Sequence, residues 1–193
     1  MNKPLLFLDF DYTLFDTAQF YEWLNPDPQT KLADLLAGRI SGPDFKSMIY
    51  PDTLEFLHKV HDDFHVVILS YGLDELQNLK LEGTGIVSFA DEVIITKESK
   101  GKMALEYFER TQKDPKTAVF LDDRAEHVSD VKLSVPEVKC VLLERTGVDH
   151  NAHNPLIDRF KPEEGNIQRA PDAVVHDLNE FFALLHGRNI SPA

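Results

Sequence analysis

Leu5-Leu6-Phe7-Leu8-Asp9-Phe10-Asp11-Tyr12-Thr13-Leu14 is the stretch that decides the fold. The apolar run reads as a buried strand over Leu5 to Phe10, with polar residues beginning where the run ends. Two carboxylates one residue apart at a strand terminus would repel each other in a dry core. Their presence points to a cation, a proton-transfer task, or both. One carboxylate can attack phosphorus while the other handles the leaving group's proton. The plainer alternative is a strand ending in a solvated Asp-rich loop.

Working outward, the same pattern recurs. Val66-Val67-Ile68-Leu69-Ser70-Tyr71-Gly72 is a second apolar run, ending in a small hydroxyl residue, and Val119-Phe120-Leu121-Asp122-Asp123 is a third, ending in another acidic pair. Between them Lys100-Gly101-Lys102 opens an amphipathic stretch, Met103 to Phe108. In an open α/β sheet, ligands bind outside the carboxyl ends of the strands. Strand ends bearing Asp, Ser and Asp in one chain are poorly explained as surface decoration.

Further strands are expected over His65 to Leu69, Glu92 to Ile95, Ala118 to Leu121, Lys139 to Leu143 and Ala173 to Val175. Helical periodicity lies between them, over Thr53 to Val60 and Leu73 to Leu81, and a closing helix carries Leu178, Phe181, Phe182 and Leu185. Alternation of strand and helix predicts an α/β fold with a parallel sheet covered on both faces. Phe15 to Tyr50 interrupts the alternation with two or three short helices, punctuated by Pro26, Pro28 and Gly42-Pro43.

In this order, Asp9-x-Asp11-x-Thr13, Ser70, a lysine at Lys100 or Lys102, and Asp122-Asp123 resemble the haloacid dehalogenase-like hydrolase superfamily, most closely its phosphatases. The resemblance covers the core from about residue 4 to about residue 145. It implies a Rossmann-like, doubly wound parallel sheet over residues 1–16 and 51–193, with a small helical cap at 17–50. Simple packing of those short helices on the core is the alternative. It also implies a magnesium-dependent phosphomonoesterase working through an aspartyl-phosphate. Asp9 would be the nucleophile and Asp11 the proton-transfer group. The dehalogenases of the superfamily lack that second acid, so Asp11 favours phosphate-ester hydrolysis. Magnesium would be held by Asp9, the backbone carbonyl of Asp11 and Asp122, with Asp123 acting directly or through water. Thr13, Ser70, Tyr71 and Gly72 would line the phosphate, and one lysine would neutralise it; Lys100 is favoured over Lys102, with Lys97 in solvent. Asp122-Asp123 capping the next helix is the plainer reading of that pair, and Arg124 is left outside the site. A phosphomutase, or a noncatalytic phosphate- or metal-binding regulator on the same fold, stays open as an alternative.

Composition sets outer bounds. The chain has 193 residues, 42% hydrophobic and 27% charged, which suits one globular domain with a sizeable core. A formal net charge of -13 disfavours nonspecific nucleic-acid binding. No apolar run approaches the roughly 20 residues that span a bilayer, and the N-terminus lacks a secretory pattern, so a cytoplasmic protein with no membrane partner is expected. The expected partner is a small phosphorylated substrate. Cys140 is the one cysteine and reads as a buried structural thiol. His150 and His153 stand in a polar stretch reaching about Pro171, read as an ordinary loop rather than a metal site.

Overall fold

The computed structural model describes residues 3–148 and 168–187. Its centre is β1 (Leu5–Leu8), whose four residues are all buried. Side chains alternate across the strand: Leu6 and Leu8 enter one apolar cluster and Leu5 and Phe7 the other. A strand buried on both faces must be apolar throughout, which is why this run shows no polar alternation.

Five more strands complete the sheet: β2 (His65–Tyr71), β3 (Glu92–Thr96), β4 (Val119–Asp122), β5 (Lys139–Leu143) and β6 (Ala173–Val175). Their spatial order is β3-β2-β1-β4-β5-β6, and every pairing is parallel. This is the doubly wound order whose direction of winding reverses between β1 and β4, leaving a crevice at their carboxyl ends. Leu8 is in register with Leu121, so Asp9 and Asp122, the next residues on each chain, emerge side by side into that crevice.

The helices are α1 (Thr17–Leu24), α2 (Pro28–Leu36), α3 (Thr53–Val60), α4 (Asp74–Thr84), α5 (Lys100–Thr111), α6 (Ala125–Ser134) and α7 (Leu178–Leu185). Local chemistry sets their ends. Asp16, Asp27, Ser99 and Asp177 each accept a backbone N–H at a helix start. Gly85, at φ +77, stops α4 in the left-handed conformation that glycine adopts freely. α5 and α6 cover one face of the sheet with Ala104, Tyr107, Phe108, Val128 and Val131. α3, α4 and α7 cover the other.

Residues 17–50 form α1, α2 and a 3₁₀ turn at Phe45–Met48. Their Phe20, Leu24, Leu32, Leu35, Phe45 and Met48 share an apolar cluster with Leu6 and Leu8 of the sheet. At Gly83 of α4 an added Cβ would lie 2.4 Å from the Phe45 ring, so this glycine lets the turn seat directly on α4. The segment is thus continuous with the core on the α4 side.

The limits of six expected elements shift. β2 and β3 run on to Tyr71 and Thr96, and β4 moves one residue along, to Val119–Asp122. β1 stops at Leu8 rather than Phe10: Asp9 N–H still donates to Leu121, but the Phe10 carbonyl accepts from Leu14 and Phe15 and turns the chain. α4 begins one residue later than expected and runs past Leu81 to Thr84, and α5 extends beyond Met103–Phe108 at both ends. Cys140 is buried in β5, where desolvation pushes its thiol up to about 12. His150 and His153 lie outside the described residues. Among the described residues no helix is long and apolar enough to cross a membrane.

Candidate active site

The loop after β1 builds the site by folding back on itself. Leu14 and Phe15 donate to the Phe10 carbonyl, and Tyr12 adopts φ +60. That turn sends Asp9 and Asp11 in different directions. Asp9 stays at the sheet crevice, where carboxylate oxygens of Asp9, Asp122 and Asp123 all lie within 4.8 Å of one another. All three residues are buried.

Lys100 stands between two of them. Its ammonium donates to Asp9 Oδ1 and, at 2.6 Å, to Asp122 Oδ2. The lysine occupies the first position of α5, an unfavourable place for a cation, and the two carboxylates offset that cost. Their attraction outweighs burial and raises the Lys100 pKa, so it stays charged. Lys102, two positions on, is half-exposed and pairs with Glu98 and Glu106. Of the two lysines the sequence left open, helix phase brings Lys100 to the crevice and turns Lys102 to the surface.

One ammonium is shared by the two buried carboxylates of Asp9 and Asp122. Burial pushes Asp9 up to about 7 and Asp122 up to about 6, despite Lys100 beside them. Asp9 Oδ2 is buried and, among the described residues, accepts no hydrogen bond. An all-oxygen donor set with an orphaned carboxylate oxygen suits a hard dication such as magnesium. His127, buried on α6, sits with Nδ1 3.8 Å from Asp122 Oδ2, and burial holds its imidazole well below its ordinary pKa. Asp122 Oδ1 also accepts the Arg124 N–H at 2.9 Å, so this residue shapes the turn into α6 as well as the acidic cluster.

Asp11 points away from the cluster. Its carboxylate is held by Lys80, by Thr17 Oγ1 at 2.6 Å and by Gln77 Nε2 at 2.7 Å. Burial alone would raise this carboxyl; the Lys80 charge and the three donors outweigh it and hold it below the ordinary value. Ser70 is fully buried at the end of β2, and its Oγ accepts from the same Gln77 amide at 2.6 Å. Tyr71 contributes its carbonyl to Gln77 at 3.3 Å, and its ring meets His127 edge to face. Gly72 matters for room: an added Cβ would lie 3.1 Å from the Gln77 side chain. Thr13 is buried, and its Oγ1 has no hydrogen-bond partner among the described residues. Its carbonyl accepts from Arg145 Nε at 3.2 Å and Nη2 at 2.8 Å, while Arg145 also forks onto Asp52 at 3.0 and 3.1 Å. Beside Asp123 an open cleft of about 440 Å³ is lined by Arg124, Glu144, Arg145 and His176 among others.

Sequence reasoning missed Thr17, Gln77, Lys80, His127 and Arg145. Gln77 and Lys80 had one faint signal, polar residues spaced three apart on a helix whose other inward positions are Leu76, Leu81 and Thr84.

The sheet order, the crevice and the ordered acidic residues define the haloacid dehalogenase-like hydrolase fold. Solved structures agree with this at low sequence identity. A haloacid dehalogenase-like hydrolase from Burkholderia xenovorans superposes with a TM-score of 0.69 at 17% identity, covering 99% of this chain and 100% of that one. L-2-haloacid dehalogenase from Xanthobacter autotrophicus, with chloropropionic acid covalently bound, gives 0.65 at 17%, covering 98% and 100%. YfnB from Bacillus subtilis, bound to magnesium, gives 0.62 at 13%, covering 96% and 99%. Residues 46–163 match the family described as Protein of unknown function (DUF2608), and the chain belongs to that family. No curated protein matches the sequence.

Proposed function

We propose that this chain is a magnesium-dependent phosphomonoester hydrolase that acts on a small phosphorylated substrate through an aspartyl-phosphate at Asp9. The observation that carries this reading is the environment of Asp9. One oxygen is fixed by Lys100, the other is buried without a donor, and two further carboxylates lie within 4.8 Å. A carboxylate so placed is oriented by Lys100 through one oxygen and leaves the other free to meet a cation.

Asp9, Asp122 and the backbone carbonyl of Asp11 would hold magnesium, with Asp123 direct or through water. The ion would supply charge neutralisation for an anionic nucleophile meeting an anionic phosphate. Asp9 forms its bond to phosphorus as the ester P–O bond breaks, and the electron pair leaves on the ester oxygen. That oxygen takes a proton from the Asp11 carboxyl. In the second half water attacks phosphorus, loses its proton to Asp11, and the Asp9–phosphorus bond breaks. Lys100 neutralises the phosphoryl group, and Thr13, Ser70 and the backbone near Gly72 contact its oxygens. Residues 17–50 serve as the cap; the contact of Thr17 with Asp11 ties α1 to the reacting groups. Retention of Asp11 supports ester hydrolysis over carbon–halogen cleavage, because displacement of a halide requires no proton at the leaving group. The net charge of -13 argues against a nucleic-acid substrate.

The test is hydrolysis of 4-nitrophenyl phosphate and a panel of phosphorylated metabolites by purified protein. Turnover in magnesium and its loss in excess chelator are expected. Equal turnover in chelator removes the metal from the reading, and release of halide from 2-haloacids without phosphatase activity replaces the reading altogether.

A further inference from the structure

Lys80 is almost wholly buried, at 1% exposure, in the middle of α4. The inward stripe of that helix is Leu76, Gln77, Lys80, Leu81 and Thr84. Apolar residues at positions 77 and 80 would satisfy packing, and an ammonium in such a place is costly unless paired. The faces of Phe10, Phe15 and Phe20 lie 5.3, 5.4 and 5.8 Å from its Nζ and close it from water. Its single ion-pair partner among the described residues is Asp11.

The rest of the arrangement converges on the same carboxylate. Thr17 and Lys80 hold Oδ1 and Gln77 holds Oδ2, so both oxygens are taken. The Gln77 amide also bonds Ser70 Oγ and the Tyr71 carbonyl, and Gly72 leaves the space that the amide fills. Asp11 and Tyr71 O can only accept, so the amide's NH₂ end must face them. One helix thereby fixes the side chain after β1 and ties it to the hydroxyl after β2. This hold fixes the position from which the Asp11 carboxyl turns to a leaving oxygen.

We propose that Lys80 is a positioning residue for proton transfer at Asp11, acting with Gln77 to set where that carboxyl stands relative to the ester oxygen. This rests on the phosphohydrolase reading. The consequence is specific to the leaving group. An alkyl phosphate needs its leaving oxygen protonated, whereas nitrophenolate departs without a proton, so only the former depends on the aim of Asp11.

Lys80→Met keeps the volume and removes the charge. It is expected to lower kcat on an alkyl phosphate by about a hundredfold, within the usual range for lost acid–base catalysis, and on 4-nitrophenyl phosphate by less than about threefold. KM for both is expected to hold, and Lys80→Arg to recover some of the loss. Crystals of the wild type and Lys80→Met, each with magnesium and trifluoroberyllate, are expected to show the Asp11 carboxylate turned in the variant. Gln77→Leu gives the same leaving-group split if Lys80→Met does not fold. Equal losses on both substrates that track a fall in Tm, or an unmoved Asp11, overturn the proposal. If the wild type hydrolyses no phosphate ester, the functional reading fails, and the paired crystals still decide whether Lys80 positions Asp11.

Discussion

The backbone N–H of Gly101 donates to the carboxylate of Asp130 at 2.7 Å, locking the first turn of α5 against α6. The approach is close enough that a Cβ at position 101 would lie 2.4 Å from Ser134 Oγ and 2.5 Å from the Asp130 carbonyl oxygen. Lys100, one residue earlier, reaches Asp9 and Asp122 from that anchored turn. Gly101→Ala must therefore push α5 and α6 apart, because the backbone carbonyl has nowhere to move. We expect a loss of roughly 1–3 kcal/mol in urea unfolding, typical of overpacking. Turnover is expected to fall at least about tenfold as Lys100 is displaced. Adding Ser134→Ala should recover only a fraction of either loss, since the carbonyl contact persists; full recovery would show that the hydroxyl alone sets the spacing.

The two acids of the first motif should separate in their effects. Asp9→Asn removes the proposed nucleophile and should abolish both turnover and acid-stable incorporation of labelled phosphate. Asp11→Asn keeps the backbone carbonyl and should cut alkyl-ester turnover roughly a hundredfold or more while a phosphoenzyme still forms on good leaving groups. Near-normal turnover by Asp9→Asn, with contaminating enzyme excluded, would falsify the covalent route.

Metal and pH should act on stability together. Burial raises Asp9 from an ordinary 3.8 to about 7 and Asp122 from 3.8 to about 6, so the folded protein binds more protons than the unfolded chain across that window. Without metal, stability should accordingly fall as pH rises from about 4 to about 7 and level off above. Asp11 shifts the other way, and its contribution is lost only below the ordinary carboxylate range. Magnesium bound at the proposed site would compete with those protons. At a hundred times its Kd it adds about 2.7 kcal/mol, which for a domain of this size is roughly 5–10 °C in Tm. Scanning calorimetry in chelator and in magnesium should give a larger shift at pH 7.5 than at pH 5. A shift independent of pH would place the ion away from Asp9.

Arg145 joins three segments that are distant in sequence: the Thr13 carbonyl, the Asp52 carboxylate and, through Asp52, the Leu178 N–H at 2.9 Å. Its guanidinium also lies over the Tyr50 ring at 4.0 Å. Arg145→Met strands a nearly buried carboxylate and should cost about 3 kcal/mol. Arg145→Lys cannot reproduce the fork and should recover less than half. Chemical denaturation of the three proteins checks both statements.

Probing residues 17–50 as the proposed cap by aromatic substitution depends on the choice of residue. Phe45 is buried against Gly42 and Gly83, so a variant there reports on stability rather than specificity. Trp23 is only partly buried, stacks on Phe20 and carries Lys31 over its ring at 4.1 Å, which makes it an anchor of α1 as well as a surface residue.

What the sequence determined by itself is local in origin. Apolar runs three or four residues long specified the strands, because a central parallel strand is buried on both faces and tolerates no polar alternation. Thr53–Val60, Lys139–Leu143 and Ala173–Val175 formed with the expected limits, since the periodicity and breakers that define them lie within a few residues. Acid after apolar run marked the strand ends, and with them Asp9, Asp122 and Asp123.

The tertiary structure decided what depends on distance across the fold. Strand order placed β4 beside β1, and only that register sets Asp122 next to Asp9. Helix phase chose Lys100 over Lys102, two residues whose side chains leave α5 about 200° apart. Gln77 and Lys80 carry no role in the sequence alone; the turn at Tyr12 sends Asp11 towards them. A buried charge is tolerated only where its partner waits, and the partner's position is a property of the whole chain rather than of neighbouring residues.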